Sequence, residues 1–114
     1  MENKNKVSVI IPCYNDGEYL QEAVESVEKC DKQLYEIIIV DDGSIDNLTK
    51  KVLSSMKKKV YRVLKIDHKG PSAARNFGVK HAKFSYLLFL WPYFFLPLKR
   101  LLCFYRFSSQ FSFI

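Results

Sequence analysis

The stretch EIIIVDDGS, residues 36–44, is a buried strand that runs straight into a turn. Ile37 to Val40 are all β-branched, with no polar residue between them, the pattern of a strand covered on both faces. Asp41-Asp42-Gly43-Ser44 then supplies two carboxylates, a glycine able to turn tightly and a hydroxyl. A junction of the same build lies upstream, where VSVII, residues 7–11, is closed by Pro12, Cys13, Tyr14 and Asn15.

Working outward, Asn15 and Glu18 have capping-box spacing, and Leu20, Ala23, Val24 and Val27 recur at helical intervals, so 16–30 is expected to be an amphipathic helix. After the second strand, Ser44 or Asp46 is expected to cap a helix with Leu48, Val52 and Met56 on its inner face. Lys57, Lys58 and Lys59 end it, at the negative end of the helix dipole. Val60 to Ile66 is a third strand, 67–71 a turn, and Ser72 the start of a short helix through Ala73, Ala74 and Phe77. Tyr86 to Leu90 is the fourth strand. Alternating strands and helices predict an α/β domain with a mainly parallel sheet flanked by helices. Ligands in such sheets sit at the carboxyl ends of the strands, where both junctions fall.

The charge is unevenly spread. All twelve acidic residues lie between Glu2 and Asp67, so the +6 net charge belongs to the C-terminal part. Twelve of the seventeen aromatic residues fall at positions 84–114. Three cysteines without CxxC spacing (Cys13, Cys30, Cys103) read as free thiols of a reducing compartment rather than a zinc site or disulfide frame. The first residues show no apolar leader, so a cytoplasmic location is expected, with the cytoplasmic face of a membrane as the alternative.

The residues suited to chemistry cluster at three places. Tyr14 offers a ring for a base and Asp42 an acceptor for a ring N–H or a ribose hydroxyl. The segment 70–76 joins a glycine, a helix N-terminus and Arg75, which together suit a diphosphate. Each has a bland alternative: a packed Tyr, a turn Asp, a surface Arg. His68 and His81 are isolated and read as structural or solvated. No GxGxxG or Walker pattern is present, against a dinucleotide site or a P-loop.

In order, spacing and wording, VSVIIPCYND (7–16), EIIIVDDGSIDN (36–47), GPSAARNFGVKHA (70–82) and YLLFL (86–90) resemble the N-terminal, nucleotide-sugar-binding half of family 2 glycosyltransferases with the GT-A fold. That resemblance implies a partial GT-A domain over residues 1–90 and transfer of a sugar from a nucleotide donor, expected to be uridine-linked, to a glycan or lipid acceptor. It implies that Pro12 and Tyr14 line the base, that Asp42 binds its ring or ribose, and that Asp41 supports that loop. Asn15 and Ser44, on the same two loops, are expected to be nucleotide-sugar-binding as well, and Lys69, Gly70 and Arg75 would lie near the diphosphate. The family also implies Mg²⁺ or Mn²⁺, held by an Asp-x-Asp-type motif after the fourth strand. Here Trp91-Pro92-Tyr93-Phe94 stands in that place, without a carboxylate, and the family's downstream catalytic base has no counterpart, so no catalytic residue is assigned. Residues 91–114 are expected to be a tail that departs from the pattern, as a disrupted reading frame would produce.

Other readings follow from the tail. Residues 84–107 could touch a membrane surface, since the apolar stretch from Phe84 to Leu98 is shorter than the ~20 residues a spanning helix needs. The sparse Lys and Arg argue against nucleic acid as a partner. A module that binds a nucleotide and transfers nothing is the remaining alternative.

Overall fold

The protein is described by a computed structural model covering residues 6–59 and 61–90. The element order is β1 (Val7–Cys13), α1 (Gly17–Glu28), a 3₁₀ turn (Lys32–Leu34), β2 (Tyr35–Asp41), α2 (Asn47–Lys58), β3 (Arg62–Lys65), α3 (Pro71–Lys80) and β4 (Tyr86–Phe89). The expected tail at 91–114 and most of the proposed membrane contact at 84–107 lie outside the described residues, as does Val60.

All the strand pairings are parallel, in the order β3-β2-β1-β4. Successive side chains of β1 go to opposite faces. Val7, Val9, Ile11 and Cys13 pack with Leu20, Val24 and Val27 of α1 and with Leu53 and Met56 of α2. Ile10 goes to the other face, with Ile38 and Val40 of β2, Leu87 of β4 and Ala74 of α3. The central strands are therefore apolar at almost every position because each face has its own helical cover. Within β1 the exception is Ser8, fully buried, whose hydroxyl donates to Glu36 Oε2 at 2.6 Å and accepts from the Phe84 amide at 3.1 Å.

Four local expectations are corrected. Pro12 does not close the first strand; β1 continues through it to Cys13, with Pro12 beside Val40. The carbonyl of Cys13 accepts from Asp42 of the β2 side and that of Ile10 from Leu90 of the β4 side. By alternation, Pro12 turns its missing amide toward β4, beyond the last paired residues, and no ladder bond is lost.

Asn15 does not cap α1. Its backbone is left-handed, with φ 54°, a conformation asparagine tolerates, and α1 begins after Asp16. The Asn15 side chain instead reaches the second junction, where Oδ1 accepts from the amides of Ile45 (2.9 Å) and Asp46 (3.1 Å). Of the two candidate caps for α2, Asp46 takes the role, accepting from Thr49 N at 2.7 Å. The inner face of α2 is Thr49, Leu53 and Met56, while Leu48 is 52% exposed. The rotation follows from Gly17, whose amide donates to Thr49 Oγ1 at 2.9 Å and draws Thr49 inward. Finally, α3 begins at Pro71 rather than Ser72, with proline in the first helical position, where its missing N–H costs nothing.

Candidate functional site

The first and second junctions come to rest side by side at the carboxyl end of the sheet. Asp41 and Asp42 are both buried there, 7% and 4% exposed. Asp41 Oδ1 accepts from Ser44 N at 2.8 Å, closing the turn over Gly43, and Ser44 Oγ accepts from Asn15 N at 3.0 Å. Asn15, Asp41 and Ser44 thus tie the two strand-end loops to each other. Gly43 has φ 77°, and a Cβ there would lie 3.0 Å from His68 N, so the position needs glycine for both its backbone and its neighbour.

Asp42 binds the third segment. Its Oδ1 accepts from Lys69 N at 2.7 Å and its Oδ2 from Gly70 N at 3.0 Å. One carboxylate therefore fixes the loop that leads into α3. Gly70, at φ 101°, hands the chain to the helix. The same loop carries His68, with a left-handed φ of 39°, and its ring stacks on Tyr14 with centroids 4.1 Å apart and planes 23° apart. His68 Nδ1 lies 3.3 Å from the Asp42 carbonyl and 3.6 Å from Asp42 Oδ2.

These residues enclose a cavity of about 250 Å³. Pro12, Tyr14, Asp42 and His68 line it, with Gly70, Pro71 and Ala74 bringing the first turn of α3 to its wall. Of the residues singled out from the sequence, Pro12, Tyr14, Asp42 and Gly70 line this cavity. Asn15, Asp41 and Ser44 stand behind its wall, and Lys69 contributes its backbone amide. Arg75 lies on α3 but outside the lining, its guanidinium 5.6 Å from the centre of the Phe89 ring.

The structure adds His68, Cys13 and Asp16, which sequence reasoning did not select. For His68 the available signal was its place two residues before Gly70, in a turn that must pass the Asp42 turn if the strands are parallel. His81, by contrast, has Nδ1 2.9 Å from the Phe77 carbonyl, on its own helix. The Cys13 thiol is pushed up to about 12, chiefly by burial, so it stays protonated and is no nucleophile at neutral pH. Burial raises the Asp16 carboxyl above its ordinary range, the Tyr14 amide works against that rise, and the Asp46 charge adds to it.

A divalent cation does not fit these residues. Among the described residues no three His, Cys, Asp or Glu side chains converge as a metal site. The best-placed carboxylate, Asp42, already accepts a backbone amide on each oxygen. From His68 to Ile114 the sequence holds no Asp or Glu that could complete a set of hard oxygen ligands.

A parallel sheet with helices on both faces, and a cavity where the ends of its two central strands meet, is a doubly wound α/β domain, and its solved structural neighbours make it the GT-A type. The sequence matches the profile of Glycosyl transferase family 2 over residues 8–90, and the chain belongs to that family. An uncharacterised glycosyltransferase of Rickettsia felis is 44% identical over 85 residues, covering 75% of this chain and 14% of its own length. The poly(ribitol-phosphate) beta-glucosyltransferase of Bacillus spizizenii is 36% identical over 111 residues, covering 92% of this chain and 17% of its own. Among solved structures, S. aureus TarS residues 1–349 superimpose with a TM-score of 0.67 at 33% identity, covering 76% of this chain and 27% of that 1–349 chain. TarS has also been crystallised with UDP and with UDP-GlcNAc. The chain thus spans about a sixth or less of the two curated relatives' length.

Proposed function

We propose that this chain holds the nucleotide part of a nucleotide-diphospho-sugar, with a uridine-linked donor favoured, and does not itself transfer the sugar. The observation that carries the proposal is the cavity walled by Tyr14, Asp42 and the first turn of α3. In this reading Pro12 and Tyr14 flank the base, and His68 extends the aromatic wall. Each oxygen of Asp42 has a lone pair left beyond its amide bond, free to accept from a ring N–H or a ribose hydroxyl. The diphosphate runs toward the N-terminus of α3, whose dipole favours anions, with Lys69 and Arg75 as the nearby cations. The UDP complexes of TarS support the choice of nucleotide.

Transfer needs a group to carry the leaving diphosphate's charge and a base for the acceptor hydroxyl. The residues present lack the carboxylates for the first, and no side chain is assigned to the second. The acceptor would belong to a complete enzyme; similarity to a poly(ribitol-phosphate) glucosyltransferase supports a glycan-type polymer.

Calorimetric titration of the chain with UDP tests the reading. One saturable site is expected, with a dissociation constant that EDTA leaves unchanged. Absence of binding sinks the proposal, and binding abolished by EDTA would return a metal to the site.

The reading extends to residues 91–114, which we take as a departure from the family pattern caused by a disrupted frame. The profile match stops at Leu90, although similarity to the B. spizizenii enzyme covers more of the chain than residues 1–90 contain. Resequencing the DNA past codon 90 is expected to reveal another frame that opens into an Asp-rich motif. If no other frame stays open, the aromatic tail belongs to the protein.

A further inference from the structure

Parallel pairing gathers whatever precedes each strand at one end of the sheet. Val7 lies beside Tyr35 on one side and Tyr86 on the other, so the approaches to β1, β2 and β4 share a rim. Pairing of Ile38 with Arg62 brings the approach to β3 to the same rim. Each approach carries a lysine: Lys6, Lys32, Lys59 and Lys83. A cavity of about 420 Å³ opens there, and Lys32, Lys59, Arg62 and Lys83 line it together with a single carboxylate, Glu36.

The acids at this rim are occupied by the fold. Glu36 accepts from Ser8 Oγ at 2.6 Å, from Arg62 Nη1 at 3.1 Å and from Lys83 N at 2.7 Å. Glu28 accepts from the Tyr61 hydroxyl and lies 3.7 Å from Lys59 Nζ. Arg62 is fixed further by a 2.7 Å bond from Nη1 to the His81 carbonyl; among the described residues both of its bonds come from Nη1, and Nε and Nη2 remain as donors. Lys32 and Lys83 reach the cavity from different chain segments, both exposed. Four cations against two engaged carboxylates, Glu36 and Glu28, leave a net positive cleft, in which Lys32 and Lys83 flank the Arg62 fork in a way that suits the charge and shape of a tetrahedral phosphate.

The geometry points to a second anion site at this rim, for a phosphoryl group. It stands at the opposite end of β1 from Tyr14, roughly 20 Å away for a seven-residue strand, and does not depend on the nucleotide reading. The phosphoryl group comes either from a soluble phosphate ester or from the headgroup of an anionic lipid.

The test uses the whole chain and its Lys32→Gln/Lys83→Gln double variant, both of whose sites are exposed. Glycerol phosphate is titrated by calorimetry, and vesicles of phosphatidylglycerol or phosphatidylcholine are assayed by flotation. The expected result is saturable anion binding that the double variant weakens about tenfold, a change of ~1.4 kcal/mol, with UDP affinity unchanged. Glycerol phosphate binding without flotation identifies a soluble ester. Flotation on phosphatidylglycerol alone, lost in the double variant, identifies a lipid headgroup. Binding of neither probe overturns the site, and so does any binding that the double variant leaves intact.

Discussion

Replacement of Asp42 by alanine is expected to raise the dissociation constant for UDP at least ~100-fold, the equivalent of two lost hydrogen bonds to a charged acceptor at ~1.5–3 kcal/mol each. The effect is large because this side chain does two things. It faces the cavity as an acceptor, and it holds the amides of Lys69 and Gly70 in place. Without it the loop loses its anchor, and with the loop goes the His68 ring that stacks on Tyr14. Asp42→Asn retains one oxygen but turns an NH₂ toward an amide, so an intermediate loss is expected. His68→Ala removes one aromatic wall while Tyr14 stays, and a loss near tenfold is expected, within the ~1–3 kcal/mol range for a base stacked on a ring. Thermal melts by circular dichroism separate lost binding from lost folding. If folded Asp42→Ala binds UDP within threefold of the unmodified chain, the cavity is not the nucleotide site.

The sheet was legible because its strands are covered on both faces, and such strands leave unbroken β-branched runs in the sequence. Ile37 to Val40 could be placed without knowing any partner. What could not be read locally were choices settled by contacts between distant segments. Asn15 has the right spacing to cap its own helix, yet its side chain binds amides some 30 residues away, a competition that sequence spacing does not encode. Leu48 fits the periodicity of α2 as well as Thr49 does. The choice between them is made by the Gly17 amide of another helix. His68 became part of the candidate site through the carboxylate of Asp42, 26 residues earlier, which draws the next two amides down onto the strand ends. The cavity lining was therefore legible where a segment carries its own chemistry, as at Tyr14 and Asp42, and hidden where a loop is delivered by a partner. Arg75 shows the reverse case: its chemistry was evident, and its guanidinium lies over Phe89 outside the cavity lining.

The contact that sets the face of α2 also carries the largest expected effect on stability. A Cβ on Gly17 would lie 2.5 Å from Thr49 Cα and 2.9 Å from Thr49 Oγ1. Carbon atoms in good contact are ~3.5–4.0 Å apart, so α1 and α2 would have to separate by about an ångström. The obstacle is backbone, which no rotamer change can relieve. Thr49 is also fully buried and holds two bonds, accepting from Gly17 N and donating its own amide to Asp46. Gly17→Ala is accordingly expected to cost ~3 kcal/mol, at the upper end for an overpacked core and a large part of the ~5–15 kcal/mol that holds such a domain together. Gly78→Ala makes an equally close approach, 2.5 Å, but to Ile10 Cγ2, a side-chain methyl rather than backbone; Ile10 is buried and stiff at χ1, so relief needs a small shift of α3, and a somewhat smaller loss is expected. Urea titrations followed by far-UV circular dichroism rank the two. Gly17→Ala should move the midpoint further down than Gly78→Ala, with the slope unchanged. Equal stability of Gly17→Ala and the unmodified chain would mean that α1 does not rest on Thr49.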